Sequence, residues 1–415
     1  MQSAQMQSKR WTPELRHWLD VSARAAGFDL VGIAELRSPS DPAAQLQAAR
    51  FEAWVDAGRA GEMEYLKRRN ETGTLLRSAP QVAMPWGRSV VVCALNLNAE
   101  TVESVPNSTR RSIDPAPPGS GWIARYAWSG RTLDDGGRAP TDYHLELLTR
   151  LRVIETGLLA RADCTTRGYV DTGPILERSL AAEAGVGWIG KNTCVIHQQL
   201  GSWILLGVLV TSLPVGEKDA VQSESAASNS TENPAKLMLS QASLDRCGTC
   251  TRCIDACPTN ALLGSKSPDA PRTMDASRCI AYLTIEKKGA IDPSLRASMG
   301  RQVFGCDICQ DVCPWNRKAS IAQNSHHEGM HPRPELINPS LDWLATMDAG
   351  EFKRHFKGSP LERTGRKRLL RNVAIAMGNS GELRFLAQLE AWAAGDDPVL
   401  ADAAEWARKQ ILSLS

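Results

Sequence analysis

Eight of the eleven cysteines in this 415-residue chain crowd into one stretch: Cys247, Cys250, Cys253, Cys257, Cys279, Cys306, Cys309 and Cys313. Clustered thiols in a chain with no visible export signal point to soft-metal ligation rather than disulfides. Cys247-x2-Cys250-x2-Cys253-x3-Cys257-Pro258 has the spacing of a bacterial ferredoxin: three thiolates wrap one iron–sulfur cubane and the fourth ligates another. The second half repeats the pattern as Cys306-x2-Cys309-x3-Cys313-Pro314, with its leading Cys279 moved upstream onto the helical run SRCIAYLTIE. The count closes on two 4Fe-4S clusters, one on Cys247, Cys250, Cys253 and Cys313, the other on Cys257, Cys279, Cys306 and Cys309. Two structural zinc sites would also use eight thiolates. Zinc modules, however, present paired Cys-x2-Cys knuckles across a longer spacer. Iron–sulfur chemistry makes the chain an electron carrier or a reductase.

The partner of those clusters is harder to read. No GxGxxG follows a strand and no Walker A run occurs, so nicotinamide and nucleotide sites have no support. Asp142-Tyr143-His144 begins the Asp-x-His-x-x-Gly pattern of a His-ligated cobalamin, but Leu147 stands where glycine is needed. Cys93, Cys164 and Cys194 lie apart and read as small core residues.

The elements that must position these groups suggest an α+β fold. Phe28–Ile33, Ser89–Leu97, Gly168–Val170, Thr193–His197 and Trp203–Thr211 read as strands. His144–Ala162 and Ile175–Ala184 read as helices. Residues 100–121 and 129–140 are rich in turn formers and read as surface loops. We expect a mixed α/β domain over 1–213 and a flexible insertion over 214–243. A ferredoxin-like domain over 244–320 and a helical region over 321–415 follow. Arg366–Met377 and Glu382–Ala393 form a HEAT-like pair that must pack on the main body, one repeat being too few to stand alone.

Composition sets outer limits. Lys plus Arg is 48 against 46 Asp plus Glu, a net charge of +2, which excludes a broadly basic nucleic-acid coat. With 42% hydrophobic and 23% charged residues the chain is not disordered throughout. No apolar run approaches the roughly 20 residues of a membrane span, and MQSAQMQSKRW lacks a signal-peptide core. A cytoplasmic monomer is expected.

The run YVDTGPILERSLAAEAGVGWIGKNTCVIH (169–197), then GSWILLG, the two-cluster module and the helix RNVAIAMGN together resemble the epoxyqueuosine reductase family. The likeness extends from about residue 14 to the C-terminal repeat. It implies a cobalamin held base-off beside two 4Fe-4S clusters, acting on epoxyqueuosine in the tRNA anticodon loop and supplied by an unidentified electron donor. Reductive dehalogenases are similar in cofactors, and one of these is the rival enzyme. A ferredoxin-like carrier with no catalysis of its own is the rival from another class. The family's Tyr-x-Trp-Gly-x-Asp-Tyr-His run is split here, with Tyr126 and Trp128 separated from Asp142-Tyr143-His144 by an insertion.

The resemblance assigns Asp171 as proton donor to the leaving oxygen, in place of a plain helix cap; burial against a corrin would raise its pKa. Lys191 and Asn192, after Gly187 and Gly190, are candidates for the corrin amides, and Arg77 and Arg178 for an amide or phosphate. His197 matches a position near the site, and Asp307, between two cluster cysteines, should lie near the corrin. For RNA phosphates the candidates are Lys287 and Lys288, then Arg366, Lys367, Arg368 and Arg371 in a basic run that also includes Arg363. The target base must leave its stack to reach a buried cofactor.

Overall fold

The computed structural model describes residues 8–98, 118–216, 246–265, 267, 272–317, 319 and 328–414. Most of the expected insertion at 214–243 and of the loop at 100–121 falls outside them. The strands are β1 (Leu30–Glu35), β2 (Ser89–Asn96), β3 (Trp122–Ile123), β4 (Ser129–Thr132), β5 (Arg138–Pro140), β6 (Thr166–Tyr169), β7 (Trp188–Ile189), β8 (Val195–Ile196), β9 (Ile204–Thr211), β10 (Gln302–Phe304) and β11 (His331–Pro332). Besides single turns, the helices are α1 (Pro13–Ala25), α2 (Pro42–Asp56), α3 (Tyr143–Leu159), α4 (Glu177–Glu183), α5 (Ile280–Ile285), α6 (Leu341–Thr346), α7 (Ala349–Phe356), α8 (Pro360–Ser380), α9 (Leu386–Ala393) and α10 (Pro398–Leu414).

An antiparallel sheet of order β1-β2-β9-β6 forms the N-terminal body. Strand β2 is buried along its whole length, which explains its unbroken apolar run. Alternation sends Val91, Cys93 and Leu95 into a core with α1 and α3, and Val90, Val92 and Ala94 into a second core with α4. Gly32 on β1 lets α4 approach closely, because a Cβ there would lie 2.1 Å from the Ala184 carbonyl oxygen. That contact seats α4, and with it the turn that precedes it.

The insertion at 129–140, expected as a loop, is instead the β4–β5 hairpin, extended by β11 into a three-stranded sheet. Its Asp-Gly turn sits between two short pairing runs, too short for a strand pattern to show. The hairpin restores the split motif, since the Tyr126 and Tyr143 rings still meet edge to face at 5.5 Å.

The cysteine-bearing segment is sewn into this body. Strand β3 pairs in parallel with β10, and Trp122, Ile123 and Trp128 share one core with Val303, Phe304, Leu341 and Val373. At the C-terminus α8, α9 and α10 pack on one another. Helix α10 was not foreseen as a separate element; its buried stripe is Ala403, Ala404, Ala407 and Ile411, with little contrast against its polar face. Helix α8 breaks at Gly365, whose φ of 73° lies outside the helical region.

Arg371 on α8 corrects one reading. It is 1% exposed, and its guanidinium donates to the carbonyls of Leu283, Lys287 and Gly289 at 2.7, 2.9 and 2.6 Å. Asn372 beside it donates to Thr284 and Val303, both at 2.9 Å. The pair closes the C-terminal end of α5, so Arg371 is a structural residue and not an RNA contact. Arg371→Ala would strand the buried Leu283 carbonyl, at about 1–3 kcal/mol, and remove the donor to the part-exposed carbonyls of Lys287 and Gly289. A clear fall in thermal midpoint with the helical content retained is the expected result.

Candidate cluster and cofactor site

The thiols gather in two sets. Burial pushes the Cys253 thiol up to about 12, and the neighbouring Cys247, Cys313 and Cys250 add to it. Cys306 is raised by burial and then by Cys279 and Cys257; Cys309 is raised by its contact with Cys194, by burial, and by Cys306 and Cys279. Cys247, Cys250, Cys253 and Cys313 therefore stand together, as do Cys257, Cys279, Cys306 and Cys309. Cys279 caps the start of α5 rather than lying within it. Among the described residues no three His, Cys, Asp or Glu side chains converge on the point of a single ion.

The second set opens onto a large cavity. Its volume of about 2120 Å³ is lined by Cys257, Cys279, Cys306 and Cys309 and also by Asp171, Tyr143 and His144. Ordinary small-molecule pockets reach about 1,000 Å³, so this one is sized for a macrocycle. The side-chain amide nitrogen of Asn192, a lining residue, is buried with no partner. An unspent buried donor costs free energy unless a ligand acceptor meets it. The size, the mixed walls and this donor fit a corrin rimmed with amide carbonyls.

Asp171 lies on the cavity wall at the end of β6, with a left-handed φ of 55°. Its carboxylate is 69% exposed in the chain alone. The Tyr143 hydroxyl donates to Asp171 Oδ2 at 3.1 Å, and His144 Nε2 stands 3.9 Å from the same oxygen. Behind it His144 Nδ1 meets Asp142 Oδ1 at 2.8 Å, and Arg363 donates to Asp142 Oδ2 at 2.5 Å. Burial works against the Asp142 charge, but the His144 bonds and Arg363 outweigh it and hold the carboxyl below its usual range. The Asp171 backbone N–H donates to Glu177 Oε1 at 2.7 Å.

The other candidates divide. Arg77 and Arg178 line the cavity, donating to the carbonyls of Ile175 and Thr193 at 3.2 and 2.9 Å. Asp307 also lines it; Oδ2 accepts from Trp122 Nε1 at 3.0 Å and from the Arg125 N–H at 2.9 Å. Burial pushes its carboxyl up to about 7, with Asp311 adding to it. Lys191 points elsewhere: 1% exposed and absent from the cavity lining, it donates to the Gly248 carbonyl at 2.7 Å, beside Cys247. His197 is also off the lining, its Nδ1 accepting from the N–H groups of Gln199 and Leu200 at 3.2 Å to close a turn.

The basic candidates are largely engaged within the fold. Lys287 pairs with Glu62, Arg366 donates to the Met347 carbonyl, and Arg368 to those of Ile285, Arg363 and Thr364. Lys288 is exposed, and Lys367, 87% exposed, stands 3.5 Å from Asp397. The sequence reading missed Glu177, placed Arg363 only in a basic run, and gave Tyr143 and His144 no role beyond a failed ligand motif and the family's split run. Cys194, read as core, lies against Cys309 on the cavity wall.

Comparison with known proteins agrees with this geometry. Residues 77–172 match the family described as epoxyqueuosine reductase QueG, DUF1730, and residues 246–316 match the 4Fe-4S double cluster binding domain. The epoxyqueuosine reductase of Xanthomonas campestris is 34% identical over 394 residues, covering 94% of each chain. That of Escherichia coli is 33% identical over 392 residues, 92% of this chain and 86% of its own. A crystal structure of epoxyqueuosine reductase with an epoxyqueuosine-modified tRNA-Tyr stem loop superposes with a TM-score of 0.74 at 26% identity, over 96% of this chain and 90% of that one. The Bacillus subtilis enzyme, with its catalytic aspartate loop swung out of the active site, gives a TM-score of 0.72 at the same identity and coverage. With curated relatives this similar over nearly its whole length, the chain belongs to the epoxyqueuosine reductase family.

Proposed function

We propose that this chain reduces the epoxide of epoxyqueuosine in the tRNA anticodon loop to the alkene of queuosine. The observation that carries the reading is the shared cavity: one set of four thiols and the Asp171 carboxylate line the same space. Electrons and a proton could therefore both reach one bound group. Removing an epoxide oxygen as water takes two electrons and two protons and leaves a carbon–carbon double bond.

In this reading the two thiol sets would hold two 4Fe-4S clusters fed by an external donor, and Asn192, Arg77 and Arg178 would seat a cobalamin, which when bound would supply low-potential electrons. Asp171 gives a proton to the departing oxygen. Tyr143 fixes Oδ2 of Asp171, and His144 stands behind it to pass in a replacement proton, its own Nδ1 steadied by Asp142 and Arg363. Tyr126 and Phe304 wall the same region and keep water from the reacting atoms. Exposed Lys288 and Lys367 are the remaining candidates among the predicted cations for phosphate contacts, and the C-terminal helices form a HEAT-like support beneath them. No described helix is long and apolar enough to cross a membrane. A monomer working in the cytoplasm, where tRNA is modified, is part of the same proposal.

The test is metal content followed by turnover, on protein purified anaerobically from cells supplied with cobalamin. About eight iron and one cobalt per chain, with loss of epoxide from a modified stem loop, are expected. Iron without cobalt would favour a carrier. Zinc in place of iron would remove the redox reading altogether.

A further inference from the structure

We propose that Glu177 is a positioning residue: it latches the Asp171 turn against the cavity and so sets where the proton is delivered. The inference rests on the epoxide-reductase reading above.

The backbone gives the reason for a latch. At a φ of 55° Asp171 occupies the left-handed region, which residues with a Cβ disfavour and keep only when their surroundings over-determine it. Two contacts do so here. Tyr143 holds the carboxylate from one side, while Glu177 Oε1 accepts the Asp171 backbone N–H at 2.7 Å from the other. Only the second acts on the strained backbone itself.

Glu177 is well placed for that task. It is the first residue of α4, yet its carboxyl turns back across six residues to the preceding turn, and no side chain at Leu176 caps the helix. The helix beneath it is fixed, with Leu180 and Ala181 buried and the Ala184 carbonyl seated on Gly32. A short arm on a rigid support transmits little play to the group it holds. Burial, with the Asp171 charge adding to it, pushes the Glu177 carboxyl up to about 8. That shift favours the neutral carboxyl, which repels the neighbouring Asp171 side chain less than a carboxylate would. A glutamine reproduces that neutral shape and keeps the acceptor oxygen.

The experiment compares wild type, Glu177→Ala and Glu177→Gln. Amide exchange over the 169–176 turn is measured on the chain as purified. Single-turnover rate and KM on an epoxyqueuosine stem loop are measured on holoenzyme of matched iron and cobalt content. For Glu177→Ala we expect faster exchange at Asp171 and a rate roughly 10- to 100-fold lower, the range that misplacing a reacting group costs, with KM within about twofold. Glu177→Gln should return both readouts to near wild type. Unchanged exchange in Glu177→Ala, or a Glu177→Gln variant as slow as Glu177→Ala, would overturn the latch. If wild type itself reduces no epoxide, the functional reading falls and the exchange data decide alone. Acceleration in the alanine variant and not in the glutamine variant supports the latch; equal exchange in all three overturns it.

Discussion

Asp171→Asn should keep its full complement of iron and cobalt and lose turnover by about 100- to 10,000-fold, the span that general acid catalysis contributes. Asparagine preserves the shape, tolerates the left-handed backbone and still accepts from the Tyr143 hydroxyl, so the site stays assembled. What it lacks is a transferable proton. Because Asp171 makes no contact with either thiol set, its removal separates proton delivery from electron delivery. In single-turnover experiments the clusters should reduce normally while the epoxide persists. An unchanged single-turnover rate would take Asp171 out of the mechanism and leave His144 as the nearest donor.

Cys313→Ser should leave about four iron per chain in place of about eight, with turnover lost. The residue lies 56 positions after Cys257 in the chain, yet is buried against Cys247 and Trp315 and faces Cys253. None of that set lines the cavity, so it would be the outer station of the relay. Serine there breaks the outer cluster and leaves the inner one, and electrons no longer arrive. Cys164→Ser, at a half-buried thiol outside both sets, is the control and should keep all its iron. Loss of all eight iron in Cys313→Ser, or of none, would redraw the ligand sets.

What could be read from the residues alone follows the range of the forces involved. The β2 strand was legible because a run of buried β-branched residues is a local signal, and the family was legible because its motif around Asp171 is contiguous. The β4–β5 hairpin was not, since its pairing runs are three and four residues long and half exposed. Lys191 was placed beside a glycine turn correctly, but its direction depends on the Gly248 carbonyl, 57 residues away. Arg371 looked like one member of a basic helix face. Which face of α8 is buried depends on the open end of α5, and no periodicity within 360–380 records that. Glu177 was overlooked for a similar reason: its acceptor role appears only once the turn before α4 folds back.

The parallel pairing of β3 with β10, together with the Trp122–Asp307 hydrogen bond, ties the wall of the cavity to the loop between Cys306 and Cys309. Tunnelling falls off exponentially with separation, so a redox module that hinged on its partner would deliver current only in its closed poses. Here the spacing between the inner thiols and the reaction chamber is set by shared backbone hydrogen bonds and a common core, the condition under which interdomain motion is suppressed. The molecule is wired rather than switched. On the proposed reading, that fixed spacing would leave the pace of the reaction to the arrival and departure of a bulky nucleic acid.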